Sequence, residues 1–153
     1  MAFTYFFRDK QILDLVAQYV IPDLKTRMYL NVWDAGCAMG PEPYSIAIMF
    51  RENMGHFLFR NVRIYATDID ESGQFGQTIE RGVFPETMVK RIPPDIFDKY
   101  FAPVARPNGK EGHFEISDEL KRAIRFQRHD LLSLKPVREE FGLIVCKNVL
   151  LHL

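Results

Sequence analysis

The sequence predicts an α/β fold built on a mainly parallel sheet, with helices on both faces of that sheet. Apolar positions alternate along the chain between helical and strand spacing. Two polar loops, at 34–42 and 68–70, each follow a predicted strand directly. A compact apolar run at 143–146 is typical of a buried parallel strand. The length of 153 residues predicts a single domain.

The first half of the chain alternates helix and strand. Ile12, Val16 and Tyr19 fall at i, i+4 and i+7, which predicts an amphipathic helix from Arg8 to Leu24 that ends near Pro22. Short strands and helices then follow in turn. They are predicted at 29–34 (strand), 42–50 (helix, with Pro43 in its first turn), 62–67 (strand) and 71–81 (helix, weakened by Gly73 and Gly76).

The second half begins with an irregular, proline-containing stretch from Gly82 to Gly112. Together with a short strand at 113–116, it predicts a small β-subdomain inserted at 82–117. Ser117 is expected to cap a helical turn that runs through Arg122. The remaining predicted elements are a short helix at 95–101 and strands at 124–128 and 143–146.

Composition excludes several classes of protein. Lys plus Arg equals Asp plus Glu at 20 each, which argues against a general nucleic-acid binder. No apolar run approaches the roughly 20 residues of a membrane span, and the four histidines have no metal-ligand spacing. Cys37 and Cys146 are interpreted as two reduced, buried thiols of a cytoplasmic protein.

Three residues at the predicted strand ends suggest a ligand site, because ligands of such sheets bind beyond the carboxyl ends of the strands. Gly36 allows close approach of a ligand, although a plain strand–helix turn explains it equally well. Asp68 is placed to accept hydrogen bonds from ribose hydroxyls, with helix capping as the alternative role; Asp70 is the better candidate for the cap. Glu42 would repel a pyrophosphate and attract an ammonium group, which favours S-adenosylmethionine over NAD or ATP. Its alternative role is a first-turn glutamate favoured by the helix dipole.

Several collinear motifs resemble the chemotaxis-receptor (protein-glutamate) O-methyltransferase family. The run Gly40-Pro41-Glu42-Pro43-Tyr44-Ser45 is similar to that family's Gly-Glu-Glu-Pro-Tyr-Ser signature. Further similar segments lie in the same order along nearly the whole chain. They are Thr4 to Asp9, Ala66 to Asp70, Lys99 to Phe101, His129 to Leu132 and Phe141 to Asn148.

The resemblance implies a class I methyltransferase (Rossmann-like) domain that binds S-adenosylmethionine and leaves S-adenosylhomocysteine as product. Ala35 and Gly36 would line the methionine portion of the cofactor. Glu42 would hold its amino group and Asp68 its ribose. Asp130 and Leu131 would flank the adenine, and Thr4 and Asn148 would also contact the cofactor. Arg8 would be the catalytic residue that orients the substrate carboxylate. No metal is implied.

The implied activity is methylation of glutamate carboxylates on a protein substrate, such as the cytoplasmic domain of a chemoreceptor, with no nucleic acid and no direct membrane insertion. The sequence departs from the family pattern in four places, which bear on the implied activity. Pro41 replaces a glutamate, and His152 stands where a tyrosine is common. The family's N-terminal helical domain is expected to be absent, and the sheet is expected to be incomplete at the C-terminus, with possible pairing at its open edge. The alternative hypothesis is therefore a truncated or degenerate module that binds a cofactor or partner without turnover; an NAD-dependent oxidoreductase is a weaker third.

Overall fold

A four-stranded parallel sheet forms the centre of the computed structural model, which describes residues 4–105 and 112–153. The four strands are β1 (Leu30–Ala35), β2 (Val62–Asp68), β6 (Ile124–Arg128) and β7 (Leu143–Val145). Their order in the sheet is β6-β2-β1-β7, and all three neighbouring pairs are parallel. These results confirm the predicted α/β class and mainly parallel sheet.

Most helical segments agree with the sequence pattern apart from their ends, but the short helix Glu86–Val89 lies in the stretch predicted to be irregular and was not predicted. The predicted N-terminal helix consists of α1 (Lys10–Leu15), a π-helical segment (Val16–Val20) and α2 (Ile21–Leu24). Pro22 lies in the first turn of α2, so the helix continues past it. The other helices are α3 (Pro41–Phe59), α4 (Phe75–Arg81), α5 (Glu86–Val89), α6 (Pro94–Tyr100) and α7 (Asp118–Ala123), with 3₁₀ turns at Leu131–Ser133 and Leu150–His152.

The core lies between one face of the sheet and the helices. Val32, Ile64 and Ala66 point to this face and are fully buried. Phe126, beside Ala66 on the same face, lies against Gly76 of α4. The opposite face carries Trp33 and Tyr65, which are half-buried. Their described aromatic partners, His129 and Phe141, belong to connecting segments.

Strand β7 differs from its prediction as a buried strand. It pairs with β1 over three residues, and Ile144 is 56% exposed. Ile144 lies beside Trp33 on the half-buried face of the sheet. Its side chain is therefore exposed to solvent although the residues of β7 are apolar. Periodicity alone cannot distinguish a central parallel strand from one at the edge.

A three-stranded antiparallel sheet lies within the range predicted for the insert. Its order is β3 (Val83–Pro85), β5 (His113–Ile116) and β4 (Phe101–Pro103). The stretch 106–111 of that insert lies outside the described residues. Phe84 of this sheet is fully buried against Tyr44 of α3, so the sheet shares the main core; its status as a subdomain stays a prediction.

The predicted cap of α7 is wrong in one detail. Ser117 does occupy the position before Asp118, but its side chain makes no capping hydrogen bond. Its Oγ is buried without a partner among the described residues. Across the described ranges no helix is both long enough and apolar enough to traverse a bilayer.

Helix α7 is joined to α3 by an ion pair that offers a test of the packing. Arg51 Nε donates to Glu119 Oε1 at 2.5 Å, and His56 Nδ1 lies 3.2 Å from the same oxygen. Partial burial raises the pKa of Glu119, but hydrogen bonds from His56 and Arg51 outweigh it, so the net pKa is below its ordinary value. Glu119→Gln is expected to lower the free energy of unfolding by about 1 kcal/mol at neutral pH.

The difference in free energy of unfolding between the wild type and Glu119→Gln is expected to depend on pH. A carboxyl with a lowered pKa in the folded state contributes stability above its unfolded pKa of about 4.3, and loses it as the pH falls through the folded value. Urea unfolding of the wild type and Glu119→Gln from neutral to acidic pH measures it. The exposed Glu139→Gln is the control. A gap between the curves that stays constant with pH would contradict the assignment.

Candidate cofactor site

A cleft of about 590 Å³ opens at the carboxyl ends of the parallel strands. It is lined by Thr4, Arg8, Gly36, Glu42, Asp68, Asp130, Leu131 and Asn148, all predicted site residues. Ala35, the ninth, is 2% exposed in β1 and is not among the lining residues. The fold therefore brings eight of the nine together; their individual roles stay predictions.

The loop after β1 forms the floor of the cleft. Gly36 and Cys37 donate their N–H groups to the Thr67 carbonyl oxygen at 2.8 and 2.9 Å, which ties this loop to the end of β2. Gly36 has a φ of +80°, and a Cβ there would collide with the side chain of Val149. Glycine is required at this position both for the backbone conformation and for the close approach of the chain.

Asp68 is held in a fixed orientation at the end of β2. Its Oδ2 accepts from the Ala38 N–H at 2.9 Å, and its Oδ1 accepts from the Asp70 N–H at 3.3 Å. The capping role belongs to Asp70, as predicted, since its carboxylate accepts from the N–H groups of Phe75 and Gly76 at the start of α4. Asp68 thus lines the cleft with a carboxylate that does not cap a helix.

Glu42 lies in the first turn of α3 and is only partly exposed. Its Oε2 is 3.2 Å from Lys147 Nζ, and its Oε1 is buried without a hydrogen-bond donor among the described residues. Lys147 also donates to the Arg8 carbonyl oxygen at 3.3 Å and lies 3.5 Å from Asp9 Oδ2. This lysine therefore joins the N-terminal segment to the end of β7 and to α3.

Asp34 lies behind Glu42 and is fully buried in β1. Burial raises the pKa of Asp34 well above its ordinary value, and the neighbouring Glu42 carboxyl raises it further. Burial likewise raises the pKa of the Cys37 thiol far above its ordinary value, with Asp34 contributing in the same direction. Cys37 is a buried thiol as predicted, whereas Cys146 is exposed, so that part of the prediction is wrong.

The remaining wall of the cleft comes from the segments after β6 and β7. Asp130 Oδ1 accepts from the Leu132 N–H at 2.9 Å and so shapes the 3₁₀ turn that carries Leu131. Asn148 Nδ2 lies 3.3 Å from Asp9 Oδ2. His129 donates its N–H to the Asp68 carbonyl oxygen and packs edge-on against Trp33, 5.8 Å between ring centroids.

The sequence-based site list omitted a further set of lining residues. Most of these residues are next to a predicted site residue in the chain, and neighbouring residues of a loop line the same surface. Lys147 and His152 had been noted only for their positions within the family-like motifs. They are Cys37, Ala38, Thr67, Ile69, Glu71, His129, Leu132, Lys147, Val149, His152 and Leu153. Most of them lie just after a strand, and this position is the signal that could have identified them.

A glycine at the end of one parallel strand and an acid at the end of its neighbour, both lining one cleft, define a nucleoside-cofactor-binding α/β domain. The comparison with known proteins specifies the family. Residues 2–153 match the CheR methyltransferase, SAM binding domain, and the chain belongs to this family. The cofactor is therefore S-adenosylmethionine, as the acid at position 42 had indicated.

Three curated relatives are named chemotaxis protein methyltransferases. The chain is 31% identical to a chemotaxis protein methyltransferase of Borreliella burgdorferi, over 97% of this chain and 53% of that protein. It is 34% identical to one of Listeria innocua, over 96% and 52% respectively. A chemotaxis protein methyltransferase 2 of Pseudomonas aeruginosa is 31% identical, over 97% and 52%. The chain thus spans about half the length of these relatives.

The residues present fit the cofactor. Glu42 Oε1 is a buried acceptor without a donor, as a group that receives an ammonium should be. Asp68 offers two carboxylate oxygens, each of which retains acceptor capacity beside its one backbone N–H.

Proposed function

We propose that this chain is the cofactor-binding part of an S-adenosylmethionine-dependent methyltransferase that forms methyl esters on glutamate side chains of a protein. We infer further that the protein substrate is the cytoplasmic domain of a chemoreceptor and that the reaction occurs in the cytoplasm. The single observation that supports this most is the joint presence of Gly36, Glu42 and Asp68 on one cleft in a chain of this family.

Within the proposal, Glu42 holds the amino group of the cofactor and Asp68 holds its ribose. Gly36 lines the methionine end, Thr4 reaches in from the N-terminal segment, Asn148 lies close to the cofactor and the substrate, and Asp130 and Leu131 flank the adenine. The bound cofactor supplies an electrophilic methyl group on a sulfonium.

The acceptor needs no general base in this reaction. A glutamate carboxylate has a reference pKa of about 4.3 and is already ionised at neutral pH. The contribution of the protein is therefore alignment and exclusion of water. Arg8, on the wall of the cleft, is proposed to orient the acceptor carboxylate with paired N–H donors.

Transfer of a labelled methyl group from S-adenosylmethionine to a chemoreceptor cytoplasmic domain tests the function. The purified chain is incubated with both, and base-labile methyl esters are counted. Arg8→Ala is expected to reduce transfer by about 100-fold, the size of effect that lost alignment produces. Arg138→Ala, an exposed arginine that contacts Tyr65 on the half-buried sheet face, is the matched control.

The outcomes separate the two candidate functions. Ester formation that requires Arg8 supports the transferase. Binding of S-adenosylhomocysteine without any ester on acidic protein substrates favours a module that binds the cofactor without turnover. Equal transfer by wild type and Arg8→Ala would contradict the role of this arginine.

A further inference from the structure

Asp34 is a buried carboxyl group that the proposed reaction does not use. Its side chain has no solvent exposure, and no N–H or O–H donor of the described residues reaches either of its oxygens. An ionised carboxylate in such a place has lost its hydration without replacement. The neutral, protonated form is strongly favoured there.

The neighbouring acid is Glu42: its Oε1, like both Asp34 oxygens, is buried without a hydrogen-bond partner among the described residues, and its carboxyl raises the pKa of Asp34. Two ionised carboxylates have only acceptors between them, so a hydrogen bond between this pair requires a proton on one of them. Glu42 Oε2 lies 3.2 Å from the ammonium of Lys147, whereas neither oxygen of Asp34 has a cationic partner within hydrogen-bond distance among the described residues. The proton therefore belongs on Asp34.

The other charged or titratable groups near Asp34 do not change this assignment. Lys147 also acts on Asp34 and lowers its tendency to hold a proton, but this lysine is shared with Asp9 as well as Glu42. Cys146 acts in the opposite direction. Cys37, on the adjoining loop, is a buried thiol and stays neutral. One ammonium cannot balance three carboxylates, and the fully buried one, Asp34, is the one for which charge is least favourable.

We propose that Asp34 is a protonated positioning residue, which donates a hydrogen bond to Glu42 and so orients the Glu42 carboxylate toward the cleft. This inference rests on the proposed role of Glu42 in holding the amino group of the cofactor; it does not depend on methyl transfer. With one Glu42 oxygen near Lys147 and the carboxylate fixed by Asp34, the acceptor is pre-arranged before the cofactor arrives.

A protonated Asp34 makes the folded protein less stable as the pH rises. A carboxyl whose pKa is raised by folding contributes stability that is complete below its unfolded pKa of about 3.9, and this is lost as the pH rises through the folded value. Asp34→Asn keeps the shape and an N–H donor but cannot ionise. We expect its melting temperature to fall less than that of the wild type as the pH rises above about 4.

The stability measurement requires no cofactor. Thermal unfolding of the wild type and Asp34→Asn is followed across pH, and the infrared spectrum of the folded protein is searched for the carbonyl band of a protonated carboxylic acid. We expect that band in the wild type and its loss in Asp34→Asn. Parallel pH profiles, or a spectrum unchanged by the substitution, would overturn the protonation of Asp34.

Calorimetric titration with S-adenosylhomocysteine tests the positioning. Asp34→Val, similar in size but without a donor, is expected to bind about 10-fold or more weakly, as the loss of a hydrogen bond to a charged group predicts, while Asp34→Asn binds like the wild type. The unfolding transitions show whether each variant is folded. If folded Asp34→Val binds as tightly as wild type, Asp34 does not position Glu42.

The two experiments also separate this inference from the proposed function. Suppose that Asp34→Val binds S-adenosylhomocysteine weakly, and that the wild type binds it but forms no methyl ester. This result supports the positioning role and argues against the transferase. Wild-type protein that does not bind S-adenosylhomocysteine contradicts the role of Glu42 and with it the positioning. The infrared result on the cofactor-free protein decides the proton independently.

Discussion

Replacement of Asp68 by alanine is expected to weaken S-adenosylhomocysteine binding by about 100-fold or more. Two hydrogen bonds from ribose hydroxyls to a charged carboxylate are each worth about 1.5–3 kcal/mol, and each 1.4 kcal/mol is tenfold in affinity. The substitution also removes the acceptor for the Ala38 and Asp70 N–H groups, which hold the floor of the cleft. Both losses act in the same direction.

Calorimetry at one salt concentration measures this effect, with thermal unfolding to show that the variant is folded. Asp68→Asn is the matched variant, because it keeps the shape and one acceptor oxygen but lacks the charge. We expect an intermediate affinity for it. Alanine and wild-type proteins that bind equally well would exclude Asp68 from the ribose site.

Replacement of Phe6 by alanine is expected to lower the free energy of unfolding by about 3–5 kcal/mol, the usual cost of emptying a buried phenylalanine site. Phe6 is fully buried, and its ring packs edge-on against Phe84 and Phe101 with centroids 5.0 and 5.2 Å away. Its N–H also donates to the Met88 carbonyl oxygen at 3.1 Å. The N-terminal segment is thus anchored in the core that the small antiparallel sheet shares.

The same anchor holds Thr4 and Arg8 beside the cleft, since they lie two residues on either side of it. Loss of cofactor affinity should therefore accompany the loss of stability. Urea unfolding measures the stability, and Phe57→Ala, at a phenylalanine that is 68% exposed, is the control with an expected change within about 0.5 kcal/mol. A stability change below about 1 kcal/mol in Phe6→Ala would show that the segment is not anchored there.

Most of the fold was predictable because its elements are short and strongly patterned. The strands at 30–35, 62–68 and 124–128 lie within a residue of their predicted bounds. The start of α4 was misplaced: a turn stabilised by Asp70 occupies the residues before Phe75. A capping side chain five residues ahead of its helix is a tertiary detail that periodicity does not show.

The site was predictable to the extent that it lies on loops at strand ends. Gly36, Glu42 and Asp68 follow from strand order and charge. Lys147 shows what the sequence leaves undetermined, because its contacts with Arg8, Asp9 and Glu42 join positions more than 100 residues apart. The buried pairing of Asp34 with Glu42 was equally hidden, since the two acids are eight residues apart and meet only when β1 and α3 pack together.

Several residues that line the cleft, or lie next to a lining residue in the chain, have an unfavourable backbone conformation. Phe7, Asp9, Ala38 and Asn148 all have φ between +52° and +58°, where side chains with a Cβ are strained. Such strain persists only when the surroundings enforce it, and it concentrates at functional sites. Evolution toward higher thermostability would therefore tend to relax these positions first, and a stabilised descendant would give up part of its hold on the cofactor.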